Sequence, residues 1–198
     1  MNTKQLLKII YRFYPQNISF EDESEKYVKT SEYSNLKNAI NSHRNGKVSY
    51  ELKMLKKEIE KHFETTLEDC TVFEWNDRCY NWQIVLPKKW EGKKKYVLCL
   101  NLSILIDVYI IYVLEVEYDK ILGKLKYLPR RNEDIELEVF QEEVKYLKAI
   151  VEKHTNRKEI QMSIGNMVIP NISFEEIPLG KLTYFNAFFL NRYETRIA

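Results

Sequence analysis

Near residue 68 the apolar residues of this chain stop recurring every three or four positions and begin to come in short, dense runs. The first spacing matches one face of an α-helix, and the second matches strands buried on one or both sides. No element satisfies both, so the chain is expected to begin as helices and continue as a sheet. Before the change, three amphipathic segments stand out. In residues 3–14, Lys4, Lys8 and Arg12 form one stripe and Leu6, Ile9, Ile10 and Phe13 face elsewhere, and Pro15 stops the helix. Residues 16–30 are polar and read as loop. Residues 31–44 turn Leu36, Ala39 and Ile40 inward and close at Asn45-Gly46. Ser49 then caps a helix running to Phe63 along Leu52, Leu55 and Ile59.

After the change, residues 70–75, 80–86, 96–102 and 108–117 are rich in aromatic and β-branched side chains and read as strands. Their connections are too short for parallel crossovers, which implies an antiparallel meander. Both faces of the last run are apolar in its first half, which predicts a central strand. Residues 133–154 form the clearest helix, with Leu137, Phe140, Val144, Leu147 and Val151 on one face, Asn132 as cap and acidic residues in the first turn. Residues 160–169 and 172–177 read as two further strands around Pro170. Residues 182–193 fit strand and helix equally. Asn-Ile-Ser-Phe-Glu occurs at 17–21 and again at 171–175, too short to read as a repeat. The expectation is an α+β fold: N-terminal helices, an antiparallel meander of about four to six strands, and the 133–154 helix packed on the sheet. Residues 1–198 are expected to form one domain, helical over 1–64 and sheet plus helix over 65–198.

Composition narrows the function classes. A hydrophobic fraction of 44% excludes a disordered chain. A net charge of +2, from 31 basic and 29 acidic residues, is too small for wholesale binding to nucleic acid, and no nucleic-acid partner is expected. Three cysteines, Cys70, Cys79 and Cys99, without Cys-x-x-Cys spacing, suit a reducing, cytoplasmic setting better than a disulfide framework or a zinc site. The N-terminus does not read as a signal peptide, because Lys4, Lys8 and Arg12 interrupt its apolar residues. Residues 97–114 are long enough to cross a membrane, but Asp107 would cost about 2.5–3.5 kcal/mol there, and two strands explain the stretch better. No membrane partner is expected.

Candidate chemistry is sparse. His43, His62 and His154 are far apart and in no metal-ligand spacing, so no metal and no cofactor are expected. Glu115 and Glu117 share a strand face near Asp119, an arrangement that can hold a divalent cation in a nuclease, or simply meet water where the strand leaves the core. Residues 88–95 carry five lysines around Trp90, suited to phosphates and a stacked base, or to keeping a turn soluble. Aromatic residues make up 13% of the chain. Trp75, Arg78, Tyr80, Trp82 and Trp90 fall on or beside the expected hairpins, and Tyr, Trp and Arg dominate binding hot spots.

The segment Gly180-Lys181-Leu182-Thr183-Tyr184-Phe185-Asn186-Ala187-Phe188-Phe189 is similar to a Gly-x-x-Thr-x-Phe-Asp-x-x-Phe ending found in small bacterial immunity proteins of contact-dependent toxin systems, with Asn186 in place of the Asp. The resemblance covers ten residues. It implies a compact cytoplasmic α+β protein without catalytic residues, which neutralises a cognate protein toxin by direct one-to-one binding. The expectation is therefore a non-enzymatic protein-binding protein with its interface at Trp75, Arg78, Tyr80, Trp82 and Trp90. The alternatives are an enzyme, such as a metal-dependent nuclease around Glu115, Glu117 and Asp119, or a nucleic-acid binder using the 88–95 loop.

Overall fold

The computed structural model describes residues 2–86, 95–119, 124–127 and 140–191, with side chains at all of these except 95, 115–119 and 124–127. Helix α1 (Thr3–Ile10) starts at a capping box in which Asn2 accepts from the Gln5 N–H, and it buries Leu6 and Ile10. A short helix α2 (Ser24–Val28) corrects the expectation of a loop over 16–30. Its one buried residue is Tyr27, so no apolar period exists to announce it; the Tyr27 hydroxyl anchors it by donating to the Ser173 carbonyl at 2.7 Å. Helix α3 (Ser31–Arg44) is capped by Thr30 and buries Leu36 and Ile40. Helix α4 (Tyr50–Phe63) is capped by Ser49, buries Leu52, Leu55 and Ile59, and ends at Glu64 in the left-handed region.

The sheet follows. Strands β1 (Leu67–Asp69), β2 (Cys79–Val85), β3 (Lys95–Ser103), β4 (Val108–Asp119) and β5 (Lys124–Tyr127) lie side by side in chain order, each antiparallel to the next. Helix α5 (Gln141–His154) then crosses back, and β6 (Lys158–Glu159) pairs parallel to the start of β4, with Val108 opposite Lys158. A parallel pair needs such a crossover. The fold is α+β with a mostly antiparallel sheet, and β4 has neighbours on both sides, as its two apolar faces require.

The 70–75 run is a correction: it is not a strand. The chain leaves the sheet at Cys70 and closes a 3₁₀ turn at Phe73–Trp75. The Asp69 carboxylate accepts from the Thr71 N–H at 3.2 Å and hydroxyl at 2.6 Å, and the Asp77 carboxylate accepts from the Val72 N–H at 2.7 Å. Such local bonds compete with a strand ladder.

Two cores sandwich the sheet. One face carries Cys79, Val97, Cys99, Ile110 and Tyr112 against α1, α3 and the C-terminal segment. The other carries Trp82, Ile84, Leu98, Leu100 and Ile111 against α4 and against Phe140, Val144, Leu147 and Val151 at α5. Phe140 is the N-cap residue of α5 and is fully buried. Leu137 and the Asn132 cap lie outside the described residues.

The strands expected over 160–169 and 172–177 are also corrected. A one-turn helix α6 (Met162–Gly165) stands there, followed by a single bridge from Val168 to Thr183 and a turn closed by reciprocal bonds between Phe174 and Ile177. Gly165 lets that helix approach the sheet: a Cβ there would sit 3.3 Å from Ile110 Cδ1. The tail resolves to helix α7 (Tyr184–Phe188), started by a capping box between Thr183 and Asn186. The two Asn-Ile-Ser-Phe-Glu copies meet in space. The Asn17 N–H donates to the Asn171 carbonyl at 2.8 Å, Ser173 Oγ accepts from the Phe20 N–H at 2.8 Å, and the Phe20 and Phe174 rings pack at 6.0 Å. Among the described residues, no helix is long and apolar enough to cross a membrane.

Candidate functional site: the Trp75 turn

Trp75 is the one tryptophan the structure exposes among the described residues; it is 53% accessible, against 2% for Trp82. An exposed indole is an effective contact residue only if it is held still, since ordering a loop on binding consumes affinity. The turn beneath Trp75 is braced from several directions. Within it, the Trp75 N–H donates to the Val72 carbonyl at 2.9 Å, and Asn76 adopts a left-handed φ of 62° that asparagine tolerates. From α3, Lys37 Nζ donates to Asn76 Oδ1 at 2.6 Å and Arg44 pairs with Glu74 at 3.1 Å. The second pair is exposed on both sides and adds little energy, but it fixes register. From the C-terminal segment, Glu175 accepts from the side-chain amides of Asn76 and Asn191.

Arg78 is the keystone. Its side chain is completely buried. Nη1 donates to the Asn76 carbonyl at 2.7 Å, Nη2 donates to Asn191 Oδ1 at 2.7 Å, and the guanidinium lies 4.9 Å from the centre of the Phe174 ring. Its charge is balanced by Glu175 through the two asparagines, a relay that ties the turn to residues about a hundred positions away. Nε has no partner. Burial pushes the nearby Tyr14 phenol far above its ordinary value, with Arg78 pulling it down, so it stays a neutral donor to the Ala187 carbonyl at 2.7 Å.

The remaining candidates are placed as follows. Tyr80 and Trp82 are not hairpin-tip residues: they are 5% and 2% accessible, because β2 is an interior strand covered by α4 and α5. Arg78 is likewise unavailable for contact. Its proper role is to hold the turn, which corrects the expectation that it presents itself to a partner. Trp90 and the lysines of 88–94 lie outside the described residues. The β4 backbone places Glu117 opposite Lys126 and Asp119 opposite Lys124, while the side chains of Glu115, Glu117 and Asp119 lie outside the described ones. Sequence reasoning missed Lys37, Glu175 and Asn191. A signal for the network existed in Arg78 itself, a lone cation entering an apolar strand, which has to find acceptors when buried.

No family model, curated protein or solved structure matches the chain.

Proposed function

We propose that this is a non-enzymatic binding protein that neutralises a cognate bacterial toxin in the cytoplasm by covering its surface one to one. The supporting observation is the exposed indole of Trp75 on a turn pinned by Asn76, Arg78 and Lys37. A preorganised aromatic anchor surrounded by charged groups, here Arg44 and Glu74, is the usual centre of a protein–protein interface. The likeness of residues 180–189 to immunity proteins supplies the class of partner. In this reading helix α7, which those residues form, is a structural signature: Phe185, Phe188 and Phe189 are buried and contact no partner.

Co-expression tests the reading. The protein should restore growth to cells producing the toxin encoded beside its gene, and Trp75→Ala, expressed at the same level, should lose much of that protection. Failure of the wild type to protect, together with a metal-dependent nuclease activity abolished by Glu117→Gln, would move the argument to the enzyme alternative.

A further inference from the structure

At the end of the sheet where β2 begins and β3 ends, side chains from separate elements converge. His43 comes from α3, Phe73 from the 3₁₀ turn, Tyr80 from β2, and Arg157 from the link between α5 and β6. His43 Nδ1 and the Tyr80 hydroxyl are 3.2 Å apart, and the Phe73 ring packs on both, at 6.3 Å from His43 and 5.5 Å from Tyr80. Arg157 Nη2 reaches the Ser103 carbonyl at 3.3 Å. Ser103 is next to Leu102, which is the cross-strand partner of Tyr80. The Arg157 charge is felt at both His43 and Tyr80.

What distinguishes this cluster is a surplus of donors. A guanidinium carries five N–H groups. Here one long bond to a carbonyl is formed, and Nε is buried without an acceptor. Asp107 is near enough to stabilise the charge but makes no ion pair with it. His43 adds a second donor. Burial, then the Arg157 charge, lowers its pKa, which favours the neutral ring. With Tyr80 donating to Nδ1, the ring proton sits on Nε2, for which no described residue serves as acceptor. A buried donor without an acceptor is costly, and a guanidinium with its fork unfilled is the group best matched to a planar or tetrahedral oxyanion.

We infer that Arg157, His43 and Tyr80 form a binding site for a small oxyanion, a phosphate or a carboxylate group. Arg157 supplies the charge, the His43 Nε2–H supplies a directional donor, and Tyr80 holds the imidazole in the required tautomer. The site stands apart from the indole of Trp75, so it can fail while the protein-binding reading survives, and the reverse.

The test is a titration of the intact protein with sodium phosphate and, in a separate arm, sodium acetate, at constant ionic strength set with chloride. The readout is the ¹⁵N chemical shifts of the His43 ring. Saturable movement with phosphate alone assigns a phosphate site, movement with acetate alone assigns a carboxylate site, and movement with both assigns a general oxyanion site. Arg157→Gln should weaken whichever binding is seen by about tenfold or more, the loss expected for one charge-assisted bond. His43→Gln, at a half-buried position, provides the same comparison by calorimetry if Arg157→Gln does not fold. No saturable response of the folded wild type to either anion overturns the inference. So does binding of equal strength in the variants.

Discussion

Replacing Arg78 by Met is the most informative perturbation of the fold, because it removes the charge while keeping an unbranched stem of similar girth. The native guanidinium makes two bonds of 2.7 Å and a ring contact at 4.9 Å with no solvent exposure. Bonds to charged groups are worth about 1.5–3 kcal/mol each, and a desolvated cation–π contact about 2. Against this stands the desolvation of the cation, several kcal/mol, which the Met variant no longer incurs. The variant does leave the Asn76 carbonyl and Asn191 Oδ1 without their donors and Glu175 without a counter-charge. The net expectation is a loss of about 2–4 kcal/mol. In urea, with a slope near 2–3 kcal/mol/M for a chain of this size, that lowers the midpoint by about 1 M. Arg78→Lys should recover less than half, since one ammonium cannot span both acceptors. A shift below about 0.3 M for Arg78→Met, at unchanged slope, would show that the network does not carry the turn.

Two more outcomes follow from the packing. Glu58 of α4 accepts from His154 and Lys153 of α5, and the bond to His154, followed by that to Lys153, holds its carboxyl below the ordinary 4.5. A depressed folded-state pKa contributes stability above the unfolded value and loses it as the pH falls through the folded one. The stability gap between wild type and Glu58→Gln should therefore be full at pH 5 and close toward pH 3, followed by urea midpoints; a gap that widens on acidification would contradict the clasp. Burial, reinforced by Glu68 and Asp69, pushes the Cys70 thiol up to about 12, and burial raises Cys79 and Cys99 as well. Native protein should thus react slowly with a disulfide reagent at pH 8 and release all three thiols on unfolding, whereas fast stoichiometric labelling of folded protein would refute the buried placement.

What could be read from the sequence was whatever depends on local spacing. Ser49 and the Leu52, Leu55, Ile59 stripe define α4, and the two apolar faces of 108–114 mark β4 as interior. The misread segments are those where side chains overrule period. Residues 70–75 have strand composition, yet Asp69 and Asp77 capture the backbone N–H groups of Thr71 and Val72. Residues 160–169 look like a strand, yet Gly165 allows a helical turn to press on Ile110. The aromatic count correctly signals aromatic-rich cores but cannot say which ring faces out. Trp82 and Trp75 differ only in whether a helix lies over them, and that depends on contacts with α4 and α5. The brace on Trp75 joins Asn76 and Arg78 to Glu175 and Asn191, 99 and 113 positions away, and no local pattern encodes such a pairing.

The central claim is that Trp75 is the anchor of a protein-binding surface, and a calorimetric titration of the purified protein with the toxin encoded beside its gene tests it most directly. The account predicts one-to-one binding, with Trp75→Ala weakening it by about 2 kcal/mol or more, roughly thirtyfold, while its urea midpoint stays within about 0.5 kcal/mol of wild type. Wild-type binding that Trp75→Ala leaves unchanged would place the interface elsewhere, and the absence of any complex would contradict the account.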